Sequence, residues 1–198
     1  MYNHSQFETT IFVTKYFKMA QIVNAPLMPP ASRHGFFIGL ALVVIQTIFY
    51  LADIKLDSGF GYITYVVLIG GLYLAIRNYR DQLNQGFITY GRSVGYGVLV
   101  AVMAGIISSV FVYILYKYID PTIIDKLLIE TEAKMEEQNL PPDQLEMAME
   151  MNRSFFTPLA ISIMSIVGYA FMGLVFSLVL SVFLKKEDAS SSFDNDTL

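Results

Sequence analysis

The sequence predicts an all-α integral membrane protein, a four-helix bundle with a helical hairpin between spans three and four. Three observations predict it. Four long segments, Gly35–Ala52, Ser58–Ile76, Ser93–Tyr116 and Thr157–Leu184, contain no charged residue. A helix rising 1.5 Å per residue needs about 20 such residues to cross a hydrocarbon core of about 30 Å. Composition agrees: 55% of residues are apolar and only 15% charged, against roughly 25% charged in soluble domains. The single long polar stretch, Lys117–Phe156, places its apolar residues at helical spacing.

The lead, residues 1–34, precedes the first span and is expected to be disordered or interfacial. Lys15 and Lys18 interrupt its apolar run, so it lacks the layout of a signal peptide. Ile11–Phe17 could lie on a membrane surface with its aromatics down, and Met19 is a second candidate start. Pro26, Pro29 and Pro30 read as a non-helical approach. Arg33 and His34 stand where anchoring residues precede a span.

Spans one and two are joined by a tight turn, Asp53–Asp57. The loop from Arg77 to Arg92 is short and basic, and the tail 185–198 opens on Lys185 and Lys186 before becoming acidic and Ser-rich, a disordered composition. Orientation follows lysine and arginine counts. Lys15, Lys18, Arg33, Arg77, Arg80, Arg92, Lys185 and Lys186 lie on the side of the termini, eight against the five of Lys55, Lys117, Lys126, Lys134 and Arg153. Both termini are therefore expected in the cytoplasm of a multi-pass inner-membrane protein, with the hairpin in the periplasm.

That hairpin, 117–156, carries nine acids and four bases. Asp120 is suited to cap a helix, with Pro121 at its first position. Ile124, Leu127, Leu128, Thr131 and Met135 form its apolar face. Asn139–Pro142 breaks it, and Asp143 with Glu146 resembles a capping box for a second helix. Leu145, Ala148, Met149 and Asn152 give that helix one face. Met147, Met151 and Phe155 give another, a candidate partner face. Thr157–Pro158 is expected to cap the last span.

Small residues recur every four positions in span three, at Gly97, Ala101, Gly105 and Ser109, and in span four at Gly173, Ser177 and Ser181. Such stripes let helix backbones approach closely. Internal packing is one reading, and a homo-oligomer or a membrane-protein partner the other. Val100 lies off the stripe.

The order and spacing of Arg77–Asp81, Gly86–Gly91, Tyr118–Pro121 and Gln144–Met149 before Thr157–Pro158 resemble the Bacteroidota family known as domain of unknown function 4199, over about Arg33 to Lys186. The resemblance implies a four-helix inner-membrane protein with an acidic hairpin between spans three and four. It implies no activity and carries over no functional residue.

Chemistry is sparse. The spans hold no Asp, Glu, Lys, Arg or His, and Gln46 is the most polar deep residue, which argues against a proton-coupled carrier. His4 and His34 lack carboxylates at ligand spacing, and there is no cysteine, so no metal, cofactor or catalytic residue is expected. A net charge of −4 gives no field for nucleic acid. The expectation is a non-enzymatic protein whose surroundings are the lipid bilayer and which acts by interaction, as a scaffold or accessory subunit. The runner-up is a passive transporter or channel for an uncharged small solute.

Overall fold

A computed structural model describes residues 26–53, 59–138 and 141–186. Among the described residues six α-helices follow in order: α1 (Met28–Leu51), α2 (Tyr62–Asn78), α3 (Tyr90–Ile114), α4 (Thr122–Glu137), α5 (Pro142–Phe155) and α6 (Pro158–Leu184). A single 3-10 turn, Gly59–Gly61, leads into α2. Wider π-type turns extend α2 through Tyr79–Leu83 and α3 through Leu115–Ile119. Among the described residues the only β-type pairing is one antiparallel bridge, Ile88 with Lys186.

Three helical stretches, Met28–Leu51, Tyr90–Ile119 and Pro158–Leu184, are long and apolar enough to cross a membrane. The α2 helix has 17 residues, the short end of the spanning range, and its flanking turns carry the helical rod from Gly59 to Leu83. The outward faces are large and apolar, with Phe37, Leu40, Val44 and Ile48 on α1 and Leu159, Ile163, Val167 and Phe171 on α6 all exposed. A soluble monomer rarely shows so wide an apolar surface.

The first helix starts earlier than the sequence suggested. The expected non-helical lead stops short of Met28, and Pro29 and Pro30 lie in the first turn of α1. The first-turn N–H groups have no partner inside a helix, so prolines are tolerated there. Arg33 and His34 thus belong to α1. Residues 1–25 and the tail beyond Lys186 lie outside the described residues, as does most of the turn between α1 and α2.

Helix α3 is central, packed along most of its length against α6 on one side and α1 on the other, while α2 makes lighter contacts with all three. The core joins Leu42 of α1, Leu68, Leu72 and Ile76 of α2, and Val100, Ala101 and Ala104 of α3. The helices α4 and α5 pack on each other as a hairpin. Of the three expected caps, that of Thr157 on α6 is present, and Asp120 bonds from one position further out, because α4 starts at Thr122 with Pro121 as its N-cap and no side-chain cap there. Asp120 Oδ1 accepts from the Thr122 backbone N–H at 3.1 Å, and Thr157 Oγ1 accepts from Ala160 N–H at 3.2 Å. The third is absent. Pro142 presets its own helical φ and starts α5, which leaves Asp143 inside the first turn with no capping hydrogen bond. There its charge still favours the helix dipole.

Candidate functional site

Small residues set how closely α3 meets its neighbours. Gly97, Ala101, Gly105 and Ser109 of α3 are buried, as are Gly173 and Ser177 of α6. A Cβ on Gly97 would stand 2.8 Å from Ser177 Cβ, and one on Gly105 would stand 2.8 Å from Tyr169 Cβ. A Cβ on Gly173 would overlap Ala101 Cβ. Carbon atoms rest at about 3.5–4.0 Å, so none of these positions admits a methyl without moving a helix. Ser109 returns its hydroxyl to the Ile106 carbonyl at 2.8 Å, so it fills the seam without needing a partner across it.

A second seam went unread in the sequence. Ala31, Gly35 and Gly39 of α1 are buried, and a Cβ on Gly39 would lie 2.7 Å from Ile107 Cβ and 2.9 Å from the Ala104 carbonyl oxygen. The four-residue spacing was present, but its first member falls among the prolines that had been assigned to a non-helical lead.

Two polar clusters bridge the helices. Deep in the bundle, Gln46 Nε2 donates to Ser108 Oγ at 2.6 Å and to Tyr169 Oη at 3.1 Å, which ties α1, α3 and α6 together. Gln46 Oε1 and Ser177 Oγ are buried with no hydrogen-bond partner. Nearer the loop end, Ser181 donates to Ser93 at 2.8 Å. Such interhelical bonds stabilise by less than about 2 kcal/mol each.

The other cluster lies where the Arg77–Arg92 loop meets the bundle. The fully buried rings of Tyr79 and Tyr96 stack with centroids 4.1 Å apart. The Arg92 guanidinium donates to Tyr79 Oη from Nε and Nη2, at 3.2 and 3.0 Å. His34 closes the group. Its Nε2 accepts from the Asn78 amide at 3.3 Å, which leaves Nδ1 to donate to Tyr96 Oη at 2.7 Å and the Pro30 carbonyl at 2.9 Å. The sequence predicts an anchoring role for His34 and a loop position for Tyr79, and the structure brings both into this cluster. Tyr79 continues the buried Leu72, Ala75 and Ile76 side of α2 at helical spacing, its N–H still bonded to the Ala75 carbonyl, and the wider turn begins only at its own carbonyl, which accepts from Asn84 N–H at 3.2 Å.

The same end is pinned to α6. Arg80 donates to the Leu184 carbonyl at 3.2 Å, satisfying a terminal group of that helix. Ile88 and Lys186 exchange backbone hydrogen bonds at 2.9 and 3.0 Å. The Asp81 carboxyl is held below its ordinary range, chiefly by the hydrogen bond from Arg80, and Arg80 is raised in turn.

The hairpin is the other polar region. Its other acids are exposed, and the half-buried Asp120 is held low by the Thr122 hydroxyl and by Lys126. Met149 is buried, with Leu145, Ala148 and Asn152 half-buried beside it, whereas Met147, Met151 and Phe155 stand exposed. Among the described residues no three histidine or carboxylate side chains converge on a position that could hold a metal ion.

Residues 33–186 match the family model described as "Protein of unknown function (DUF4199)", and the chain belongs to that family. No curated protein and no solved structure matches it.

Proposed function

We propose that this DUF4199 protein is a non-enzymatic inner-membrane protein that acts by interaction, as a scaffold or accessory subunit, with α2 crossing the bilayer beside the other three long helices. The observation that carries this reading is the seam. Helix α3 meets α1 and α6 at glycines with no room for one added methyl, so the bundle interior is filled by packing and the outer surface is left to engage other molecules. The acidic hairpin is the polar part of that surface. The lysine and arginine counts support a periplasmic hairpin with both termini in the cytoplasm, and the sequence resemblance supports a source in Bacteroidota.

The test is a photo-crosslinking residue at Glu132 or Glu136 of α4, in the full chain and in cells. An interaction protein gives an adduct of discrete mass, and its absence from both positions overturns the reading. The runner-up, a passive route for an uncharged solute, makes the opposite prediction in purified vesicles. Swelling in glycerol or urea faster than in empty vesicles would favour it over the scaffold.

A further inference from the structure

We propose that α5 is an interfacial helix whose Met147, Met151 and Phe155 are seated in the headgroup region of the bilayer leaflet at the hairpin end. The proposal rests on the membrane reading above and deepens it, because it fixes which face of the hairpin is left for a partner.

The helix has three faces. One is turned inward, with Met149 buried and Leu145, Ala148 and Asn152 half-buried, and Asn152 meets Met135 Sδ of α4 at 4.0 Å. A second is acidic, with Glu146 and Glu150. The third is the ridge, whose residues are 71%, 58% and 60% exposed in chain order. Such exposure of large apolar side chains beside charged ones is the composition of a helix lying in a membrane surface, apolar side down and charges up.

The tether names lipid as the occupant. Phe155 stands three residues before Pro158, the first residue of a helix long and apolar enough to cross a membrane. A chain extends at most about 3.6 Å per residue, so the ridge is held close to the bilayer edge. The connection also bends. Thr157 N–H donates to the Phe155 carbonyl at 2.9 Å, and Phe156 has φ −80° and ψ 57°, an inverse γ-turn. Helix α5 therefore leaves the line of α6 instead of prolonging it. On α6 the exposed apolar series resumes at the same four-residue step with Leu159 and Ile163.

The other root of the hairpin carries an interfacial mark of its own. Tyr118 is exposed, and Lys117 Nζ lies over the Tyr113 and Tyr118 rings at 5.1 and 5.4 Å. Aromatic and basic residues in such pairs anchor spans at the membrane–water boundary. Because the flanking face is acidic, the seating is apolar in origin and needs no anionic lipid.

The chain has no native cysteine, so Met151→Cys, Glu150→Cys and Phe171→Cys can each carry one polarity-sensitive fluorophore. The purified full chain is placed in phosphatidylcholine vesicles. The Met151 site is expected to emit to the blue of the Glu150 site and to be quenched more by a headgroup-level spin-labelled lipid than by a deep one. Phe171 reports the membrane reading separately: it should be quenched by the deep label, and failure there would refute the span and not the interfacial helix. Emission at Met151 matching that at Glu150 overturns the proposal. A blue emission lost on tenfold dilution of protein into lipid also overturns it, since the ridge would then be covered by a second copy.

Discussion

Substituting Gly97 by alanine adds one methyl at a tight point of the α3–α6 seam. The new carbon would meet Ser177 Cβ at 2.8 Å, with Ser177 Oγ nearer still and Ile76 Cδ1 at 3.2 Å. The hydroxyl can rotate away, but Ser177 Cβ moves only with the backbone of α6. Restoring an ordinary separation of about 3.5–4.0 Å displaces one helix by roughly 1 Å, and overpacking of this kind costs about 1–3 kcal/mol. Glycine to alanine also raises helix propensity by about 0.8–1.0 kcal/mol. Gly95→Ala isolates that gain, because Gly95 lies on the same helix with nothing within 4 Å of its added Cβ. The difference between the two variants is therefore about 1–3 kcal/mol in favour of Gly95→Ala. The assay is equilibrium unfolding of the purified protein in detergent, followed by helical circular dichroism.

A second variant tests the cause. Gly97→Ala with Ser177→Gly moves the small group from one helix to the other and removes both Ser177 atoms from the clash. It also deletes a buried hydroxyl with no hydrogen-bond partner, whose burial is itself unfavourable. The double variant should be more stable than Gly97→Ala alone. Gly97→Ala matching Gly95→Ala, or a double variant no better than the single, would refute the reasoning that steric contact defines this seam.

The remaining predictions concern orientation, the loop-end cluster and the start of the hairpin. Gln138→Cys should react with an impermeant thiol reagent in intact cells and Gln85→Cys only after lysis, both positions being exposed; the reverse pattern inverts the topology. Tyr79→Phe keeps the stack on Tyr96 and loses the donation from Arg92, costing less than the about 1.5–3 kcal/mol of a fully buried bond to a charged group, whereas Tyr79→Ala empties a closed site and costs about 3–5 kcal/mol. Equal unfolding midpoints for the two would show that the ring does not pack. Asp120 is ionised in the folded protein to a pH below its ordinary 3.8, so the contribution of its bonds to Thr122 is complete above that value and is lost as pH falls through the lowered pKa. Thr122→Val should raise the Asp120 titration measured by carboxyl NMR, and an unchanged midpoint would show that the hydroxyl does not hold the charge.

The long apolar helices, the hairpin helices and their half-buried faces are legible in the sequence because each rests on a local property: an unbroken apolar run, or apolar residues at a 3.6-residue period. Ile124, Leu127, Leu128, Thr131 and Met135 are the half-buried side of α4 as the spacing implied. The start of α1 was misread because prolines signal a break only when they stand beyond a helix's first turn. Tyr79 lies past Arg77 and Asn78, outside the uncharged run, yet it continues the Leu72, Ala75 and Ile76 face of α2 at helical spacing, so its burial follows from the period and not from the run. Val100 shows the limit of a single stripe. It lies off the Gly97–Gly105 series yet is fully buried, because its side of α3 meets α1, where a Cβ on Gly35 would come within 2.8 Å of the Val100 carbonyl oxygen.

That limit has a physical origin. In water, polarity separates the inside of a helix from its outside. In a bilayer the lipid tails are as apolar as leucine, so packing and interhelical hydrogen bonds sort the faces instead. Helix α3 shows the sorting by volume. Its buried positions include Ser93, Gly97, Ala101, Ala104, Gly105 and Ser108, while Ile106, Val110 and Ile114 stand exposed. One stripe of small residues finds one neighbour. A central helix has two, and the second appears only when the stripe on the partner, here Ala31, Gly35 and Gly39, is read together with the first. Both sides of α3 are thus occupied by close contact, and Gln46, Ser108 and Tyr169 join its two neighbours across it. A helix held by close contact on both sides leaves the rim of the bundle and the hairpin as the surfaces on which the proposed interaction is to be tested.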